Sequence, residues 1–584
     1  MKNIVGLALL LPLVVAPLGA EPTLKQKQTS VREAAEAVAR KGGWNARGTA
    51  NGVDYRLQRI DGGRPVFYGT TNVNAAVSTA TDLVRQVAPA NLAGAGLVVG
   101  EWDSGSVRET HQEFSGRVVL RESVVTYSSH ATHVAGTMAA RGFAAVALGM
   151  APLLTIDSYD FDNDLAEMQP RAATTPAQAT ALYLSNHSYG RICGWATGNW
   201  SGNNGPHYFG VNGEREDRSF GAYDESTALW DEICHLAPYY LPIKSAGNDR
   251  NNTAPANGAA YYYWDGSTWV AGVHSTATGP RNDNWDSGGY DTVTAPGTAK
   301  NILTVGSNSD AVSAGLRNLA VTANSSFSAW GPTDDGRIKP DLVGNGATLT
   351  SASSSSDSGY SNASGTSMSA PNVTGSAALL FELYGDLFPG SAMRASTMKG
   401  LILHTADDLG RPGPDYNNGW GMMDTKAAAD AIQRHHDFPA LQVLVESDVT
   451  STTLAREFFY YSDGSAPLSA FLCWSDPPGT GIDALDTTTL ALVHDLDLRL
   501  FDSANTEHRP WVLNPAAPTV NATTGDNVRD NLEQVIVPLP AVGTYRLRVS
   551  YKGLLTAPQP FSLAVTGQTI DPSTVGDWWS IGPQ

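Results

Sequence analysis

Gly365-Thr366-Ser367-Met368-Ser369-Ala370-Pro371 joins a residue that permits a tight turn to a small-residue run that opens a helix. Val373, Ala377, Leu380, Phe381 and Tyr384 recur behind it at helical spacing and predict a helix over 370–384, with Pro371 in the first turn where its missing N–H costs nothing. A serine hydroxyl at the positive end of such a helix is placed for nucleophilic attack, and nearby N–H groups can face an oxyanion. The same run also suits a Ser/Gly-rich loop that caps an ordinary helix. A serine nucleophile needs a base to take its proton and a carboxylate to orient that base. Upstream, Gly96-Leu97-Val98-Val99-Gly100-Glu101-Trp102-Asp103 reads as a buried strand presenting Asp103 at its carboxyl end, where open α/β sheets put functional groups. His130-Ala131-Thr132-His133-Val134-Ala135-Gly136-Thr137 opens a helix with Ser129 as N-cap. His130 and His133 share much of one helical face, so either is a candidate base. Lys244-Ser245-Ala246-Gly247-Asn248 follows the apolar run Tyr240 to Ile243, and its asparagine is either a turn residue or an amide donor to an oxyanion.

Groups so far apart in sequence need a large scaffold. At 584 residues the chain suits two or three domains. Met1-Lys2-Asn3 and the apolar run Ile4 to Val15 read as a secretory signal peptide (1–20) cut after Ala20, too short for a membrane span. A pro-segment is read over 21–77: Ser30 and Glu33 have capping-box spacing ahead of a short helix to Arg40, and the strand-like runs Val53–Leu57 and Val66–Tyr68 flank the turn Asp61-Gly62-Gly63. About 55 residues are marginal alone, so this unit should fold against its neighbour. From 78 to 434, short apolar strands (Leu97–Val99, Leu153–Ile156, Leu182–Leu184, Tyr240–Ile243, Ile302–Val305) alternate with helical patterns, the signature of an α/β parallel sheet with helices on both faces. Arg191 to Arg218, rich in Gly, Asn and Trp, reads as a surface insertion. Over 435–570, alternating runs separated by Gly/Pro/Asp turns indicate an all-β sandwich or jelly roll, followed by a tail, 571–584.

The formal net charge of −19, from 38 basic and 57 acidic side chains, argues against nucleic acid or an anionic membrane as partner. A monomer, secreted or periplasmic, is expected. Cys193, Cys234 and Cys473 make no disulfide framework; export permits one bridge, with Cys193 and Cys234 the preferred pair and Cys473 a buried thiol.

Asp103-Ser104-Gly105, the His130–Thr137 segment and Gly365–Pro371, in that order, resemble the subtilisin-like serine proteases, the subtilase family. The resemblance implies Ser367 as nucleophile, His130 as general base, Asp103 as orienting carboxylate and His133 as a structural histidine. It makes Asn248 the oxyanion donor alongside the Ser367 N–H. Ala131 stands where the family has glycine, which implies slight narrowing of the adjacent subsite. Ser188, Tyr189 and Gly190 match the edge that pairs with an extended substrate backbone, with Ala246 and Gly247 beside it. The neighbouring His187 could serve as a second base but, as a loop histidine, is read as solvated or structural. Ser326–Pro332, Lys339–Leu342 and Asn418–Gly421 also match and read as scaffold.

Leu492–Leu498 and Asn531–Val535, with the Gly63–Tyr68 run, resemble a group of alkaline subtilases that carry a C-terminal β-barrel. Asp495 and Asp497 face the same way on a strand; with Asp526, Asn531 and Glu533 they would suit structural calcium on that resemblance, or else form a solvated acidic face. Asp160–Asp164 is a weaker acidic cluster. No organic cofactor is expected. The implied activity is an exported serine endopeptidase acting on protein and peptide substrates and matured by removal of its own pro-segment near Thr71 to Asp82. The alternative is an inactive subtilase-fold binding or adhesion module.

Overall fold

The computed structural model describes residues 24–573 apart from 51–52, 62–63, 70–75, 89, 124–125, 287 and 314. The expected signal peptide, the Gly62-Gly63 turn, the first part of the expected processing stretch and most of the tail lie outside the described residues.

Residues 24–69 form a helix, Leu24–Gly42, and three antiparallel strands, Arg47–Ala50, Val53–Asp61 and Arg64–Gly69. Lys25 to Gln28 are good helix formers and extend the helix upstream, so Ser30 lies inside it and does not cap it. Ala35, Ala39 and Leu57 are buried with Trp44 against Trp264 and Trp269 of the next domain, which supplies the core this small unit lacks.

Seven strands form one parallel sheet in the order Leu342–Asn345, Leu303–Asn308, Leu241–Ser245, Leu184–His187, Val98–Asp103, Thr155–Asp160 and Val118–Leu120. Several reach further downstream than their apolar runs predict, because polar ends such as Asn186, His187 and Ser307 are buried and hydrogen-bonded within the fold. The strand order turns beside Val98–Asp103, which makes the carboxyl ends of that strand and of Leu184–His187 the switch point. Two buried helices, Ser129–Ala139 and Thr366–Leu387, pack together there. The second begins at Thr366, so Pro371 lies beyond the first turn.

Ser78, Thr79 and Thr81 are locked into this domain. Asn372 Nδ2 donates to Thr79 Oγ1 at 3.1 Å, and Thr81 Oγ1 lies 2.6 Å from Ser376 Oγ and 3.0 Å from Thr425 Oγ1.

The Arg191–Arg218 stretch is not a plain surface loop. Trp195–Gly198 and Gly205–Tyr208 join Ala260–Trp264 and Trp269–Val273 in a four-stranded sheet, and Trp195, Trp200, Tyr208 and Phe209 are buried. Its density of large aromatics builds a second small core. The expected Cys193–Cys234 bridge is also absent: all three cysteines are free and buried, Cys193 in the electrostatic neighbourhood of Asp217 and Cys234 in that of Asp231.

Among the described residues, eight strands from Leu444 onward form two four-stranded antiparallel sheets enclosing their own core. This sandwich docks on the helix Ala395–His404, and its Phe471, Cys473, Leu532 and Ala564 join the main core of the α/β domain. Among the described residues, no helix is long and apolar enough to cross a membrane.

Candidate active site

The strand Val98–Asp103 delivers a fully buried Asp103 to the switch point. Its two oxygens lie 2.7 and 2.8 Å from His130 Nδ1, and Oδ1 also accepts from Ser104 N at 2.6 Å and Ser104 Oγ at 3.0 Å. Ser104 Oγ in turn lies 2.9 Å from Ser128 Oγ, which accepts the Ala131 N–H at 3.1 Å. Ser128, not Ser129, is therefore the N-cap; Ser129 is already helical and pairs with Ser354 Oγ at 2.8 Å. One serine-to-serine link thus ties the end of the aspartate strand to the start of the histidine helix.

His133 lies one turn deeper. Burial, with His130 nearby, pushes its pKa down to about 3, and its Nε2 faces the Ser361 carbonyl at 3.1 Å. It is a neutral core histidine. His187 is likewise buried, stacked on Trp102 and edge-on to Trp230, with Ser185 Oγ at 2.8 Å and Tyr189 Oη at 3.0 Å. Burial and then Lys244 hold it well below the ordinary imidazole range.

Ser367 sits in the first turn of its helix. Pro371 has no N–H to offer the Ser367 carbonyl four residues back, and Ser188 Oγ fills that role, donating at 2.6 Å. Ser367 Oγ donates to the Ser188 carbonyl at 3.1 Å. From the strand Leu241–Ser245 the chain reaches Asn248 through Gly247, whose φ of +120° suits only glycine. Asn248 Oδ1 accepts from Thr366 N at 2.8 Å and Thr366 Oγ1 at 3.1 Å, so its Nδ2 is turned to donate elsewhere.

Ser367 and Asn248 open on a cavity of about 410 Å³. Gly190 and Gly247 line it, together with Trp195, Trp200, Phe327 and Asp249. Burial, and then Asp217, push the Asp249 carboxyl up to about 7. The two tryptophans of the cavity wall come from the insertion, and the motifs gave no sign of them; the tryptophan density of that stretch was the available signal. Along the rim, Lys244 Nζ donates to the Tyr189 carbonyl, while the buried Tyr189 hydroxyl donates to Asp164 Oδ2 at 2.8 Å. Tyr189 and Ala246 are core side chains, so both can face a ligand only through backbone. The Gly190–Arg191 edge pairs antiparallel with Tyr68 and Gly69 of the N-terminal segment. Asp160 and Asp164 cap backbone N–H groups at 2.8 and 2.7 Å and Asp162 pairs with Arg32, so these acids are structural.

A model of the subtilase family matches residues 60–421, well over half of the chain and a span within which Asp103, His130, Asn248 and Ser367 fall. The chain belongs to the subtilase family. Among curated relatives, the PI-type proteinase of Lactococcus lactis subsp. cremoris is 28% identical over 193 residues, 27% of this chain and 10% of that protein. The extracellular serine protease of Serratia marcescens is 25% identical over 361 residues, 57% of this chain and 32% of that protein. This subtilase thus spans a third or less of the length of these relatives. Among solved structures, fervidolysin from Fervidobacterium pennivorans, a keratinolytic enzyme related to subtilisin, aligns at 17% identity and a TM-score of 0.38, over 76% of this chain and 50% of that one.

In this subtilase the sandwich acids do not make the expected calcium shell. Lys552 Nζ lies 3.3 Å from Asp495, 2.9 Å from Asp497 and 2.9 Å from Asp526, and Arg499 bonds both Asp497 and Asp526. Asn531 is turned to the domain interface, donating to Asn301 Oδ1 at 3.1 Å and to the Trp474 carbonyl at 2.6 Å. Glu533 is buried, accepts the Leu498 N–H at 2.6 Å and is held well above its ordinary range by burial. The chain's own cations occupy the place a calcium ion would take, so this donor set does not fit one.

Proposed function

We propose that this subtilase is an exported serine endopeptidase that hydrolyses peptide bonds of proteins through an acyl-enzyme. The observation that carries the reading is the shared cavity of Ser367 and Asn248, beside an edge already paired with an extended strand, with Asp103 fixing His130 at the same sheet ends. Ser367 Oγ attacks the scissile carbonyl and passes its proton to His130 Nε2. Asp103 holds the imidazole by its Nδ1–H. The Asn248 amide and the Ser367 N–H receive the oxyanion. His130 then protonates the leaving amine, and water, deprotonated by the same imidazole, releases the acyl group.

The reading extends to maturation. Gly69 belongs to the N-terminal sheet, whereas Ser78, Thr79 and Thr81 are fixed in the catalytic core. That division favours a cut within 70–75, upstream of much of the stretch expected from sequence. A strand occupying Gly190–Arg191 blocks the edge until removed, which fits a pro-segment that inhibits before it is released.

Labelling with a fluorophosphonate tests the assignment. Wild-type protein should take up one equivalent and Ser367→Ala none. A folded wild-type protein that stays unlabelled and leaves denatured casein intact would sink the proposal.

A further inference from the structure

Four carboxyl groups from three parts of the chain meet outside the catalytic machinery. Glu216 comes from the insertion, Asp291 and Asp334 from loops of the catalytic domain, and Asp486 from the loop between the sandwich strands Leu468–Cys473 and Asp495–Phe501. One carboxylate oxygen each of Glu216, Asp291 and Asp486 lies within 4.8 Å of the others. Asp334 joins them across Gly221: a Cβ there would stand 2.1 Å from Asp291 Oδ1 and 2.2 Å from Asp334 Oδ1, so only glycine leaves both oxygens their place.

A second observation points to a missing positive partner. Asp291 Oδ1 and both oxygens of Asp334 are buried, and no described residue gives them a hydrogen bond. Thr487 turns its backbone N–H toward Asp334 but outside hydrogen-bonding geometry. The charged groups that bear most on Asp291 are all acidic: Asp334, Glu216, Asp486 and Asp286. Arg281 bears on Glu216 from the side, lying 3.4 Å over the Trp285 ring, and the Trp285 side chain faces Glu216. Adjacent residues of the same segments provide a contrast. Asp217 and Asp483 are neutralised by Arg64 at 2.8 and 3.0 Å. Burial and then neighbouring carboxylates of the cluster push Glu216 to about 7 and Asp334 to about 8 and raise Asp291, while burial and then Asp286 raise Asp486. Apposed carboxylates of this kind cost stability unless a cation or protons neutralise them.

We propose that Glu216, Asp291, Asp334 and Asp486 bind one calcium ion, which ties the insertion and the sandwich loop to the catalytic domain. The donors are all hard oxygens and come from loops. The oxygens of Glu216, Asp291 and Asp486 span up to 4.8 Å, which matches two oxygens on opposite sides of calcium at about 2.4 Å each, whereas magnesium needs a tighter, near-octahedral shell.

The test compares full-length Ser367→Ala protein, in which autolysis cannot interfere, with the same protein carrying Asp291→Asn and Asp334→Asn. Both are stripped with EDTA, then studied by equilibrium dialysis against radioactive calcium and by thermal unfolding at constant ionic strength. The parent should hold one more ion per chain, and calcium should raise its Tm more than that of the variant. In EDTA the variant should melt no lower than the parent, since it has lost only repulsion. Equal ion counts, whatever the number, overturn the proposal and leave the cluster as shared-proton carboxyls. If the double variant fails to fold, exposed Asp486→Asn decides by the same dialysis: weakening of one class of site by about tenfold or more supports the proposal, and an unchanged isotherm overturns it.

Discussion

Ser188 and Ser367 exchange hydrogen bonds: each hydroxyl donates to the other's carbonyl, at 2.6 Å from Ser188 and 3.1 Å from Ser367. The exchange exists because Pro371 withholds the N–H that would otherwise close the helix on the Ser367 carbonyl. It fixes the nucleophile against the edge strand. Ser188→Ala should lower kcat about two- to tenfold with little change in KM, the worth of one hydrogen bond of about 0.5–1.5 kcal/mol. Adding Pro371→Ala, which restores a backbone donor to the same carbonyl, should recover most of the loss. A Ser188→Ala defect that Pro371→Ala does not touch would show that the serine acts some other way.

Among the described residues, Asn248 is held by its carbonyl side alone, through Thr366, leaving the amide to the substrate. Asn248→Ala should cut kcat by about 10²–10³ at nearly constant KM, a range taken from subtilisin itself. Asn248→Asp should lose as much while keeping the Thr366 bonds. Steady-state kinetics on a peptide substrate checks both, and a loss confined to KM would remove Asn248 from the oxyanion role.

Much of this site is legible in sequence because each chemical group sits inside a short segment whose local structure is dictated locally. A strand ends at Asp103, and helices begin beside His130 and Ser367. What stayed hidden depends on register between distant segments. Gly205–Tyr208 pairs with Ala260–Trp264, and that pairing turns Trp195 and Trp200 into a cavity wall. Lys552 lies opposite Asp495 across two antiparallel strands, so a run that resembles a calcium shell is closed by a cation far along the chain. The capping serine is Ser128 and not the expected Ser129: both serines are equally competent by type, and what separates them is the extended backbone of Ser128 and its acceptance of the Ala131 N–H.

Lys244 is buried, donates to the Tyr189 carbonyl and lies 4.6 Å over the Tyr189 ring. Burial lowers its pKa to about 7, against Asp164 pulling the other way. The unfolded chain, with a lysine near 10.4, therefore binds a proton that the folded chain lacks between these values. Stability from this group is present above about pH 10 and is lost as pH falls toward 7, at about 1.4 kcal/mol per unit. In Ser367→Ala protein, the stability gap between parent and Lys244→Met should shift by about 2–3 kcal/mol from pH 7.5 to 9.5, with the parent gaining. Urea unfolding at the two pH values measures it, and a constant gap would mean that Lys244 stays charged.

The three cysteines are buried thiols, and burial raises all of them, Cys473 to about 12. Neither thiolate character nor access favours reaction. Native protein should give almost no fast reaction with Ellman's reagent and three thiols in guanidinium, with Tm unchanged by dithiothreitol. One thiol in guanidinium would restore the Cys193–Cys234 bridge.

Arg64 anchors the N-terminal segment: its buried guanidinium bonds Asp217 at 2.8 Å in the insertion and Asp483 at 3.0 Å in the sandwich loop, with Ser219 Oγ at 3.2 Å. Removing one partner of a buried pair leaves the other charge uncompensated, at a cost of about 3–5 kcal/mol. Arg64→Ala should therefore speed hydrogen exchange of the Arg64–Gly69 amides by about 10²–10³, while the sandwich strand Gly543–Lys552 exchanges as before. Arg64→Lys should recover little, because a single ammonium cannot reach both carboxylates as the two Nη groups do. Exchange that rises equally in both regions would mark global destabilisation, and exchange that does not rise would take the anchoring role from Arg64.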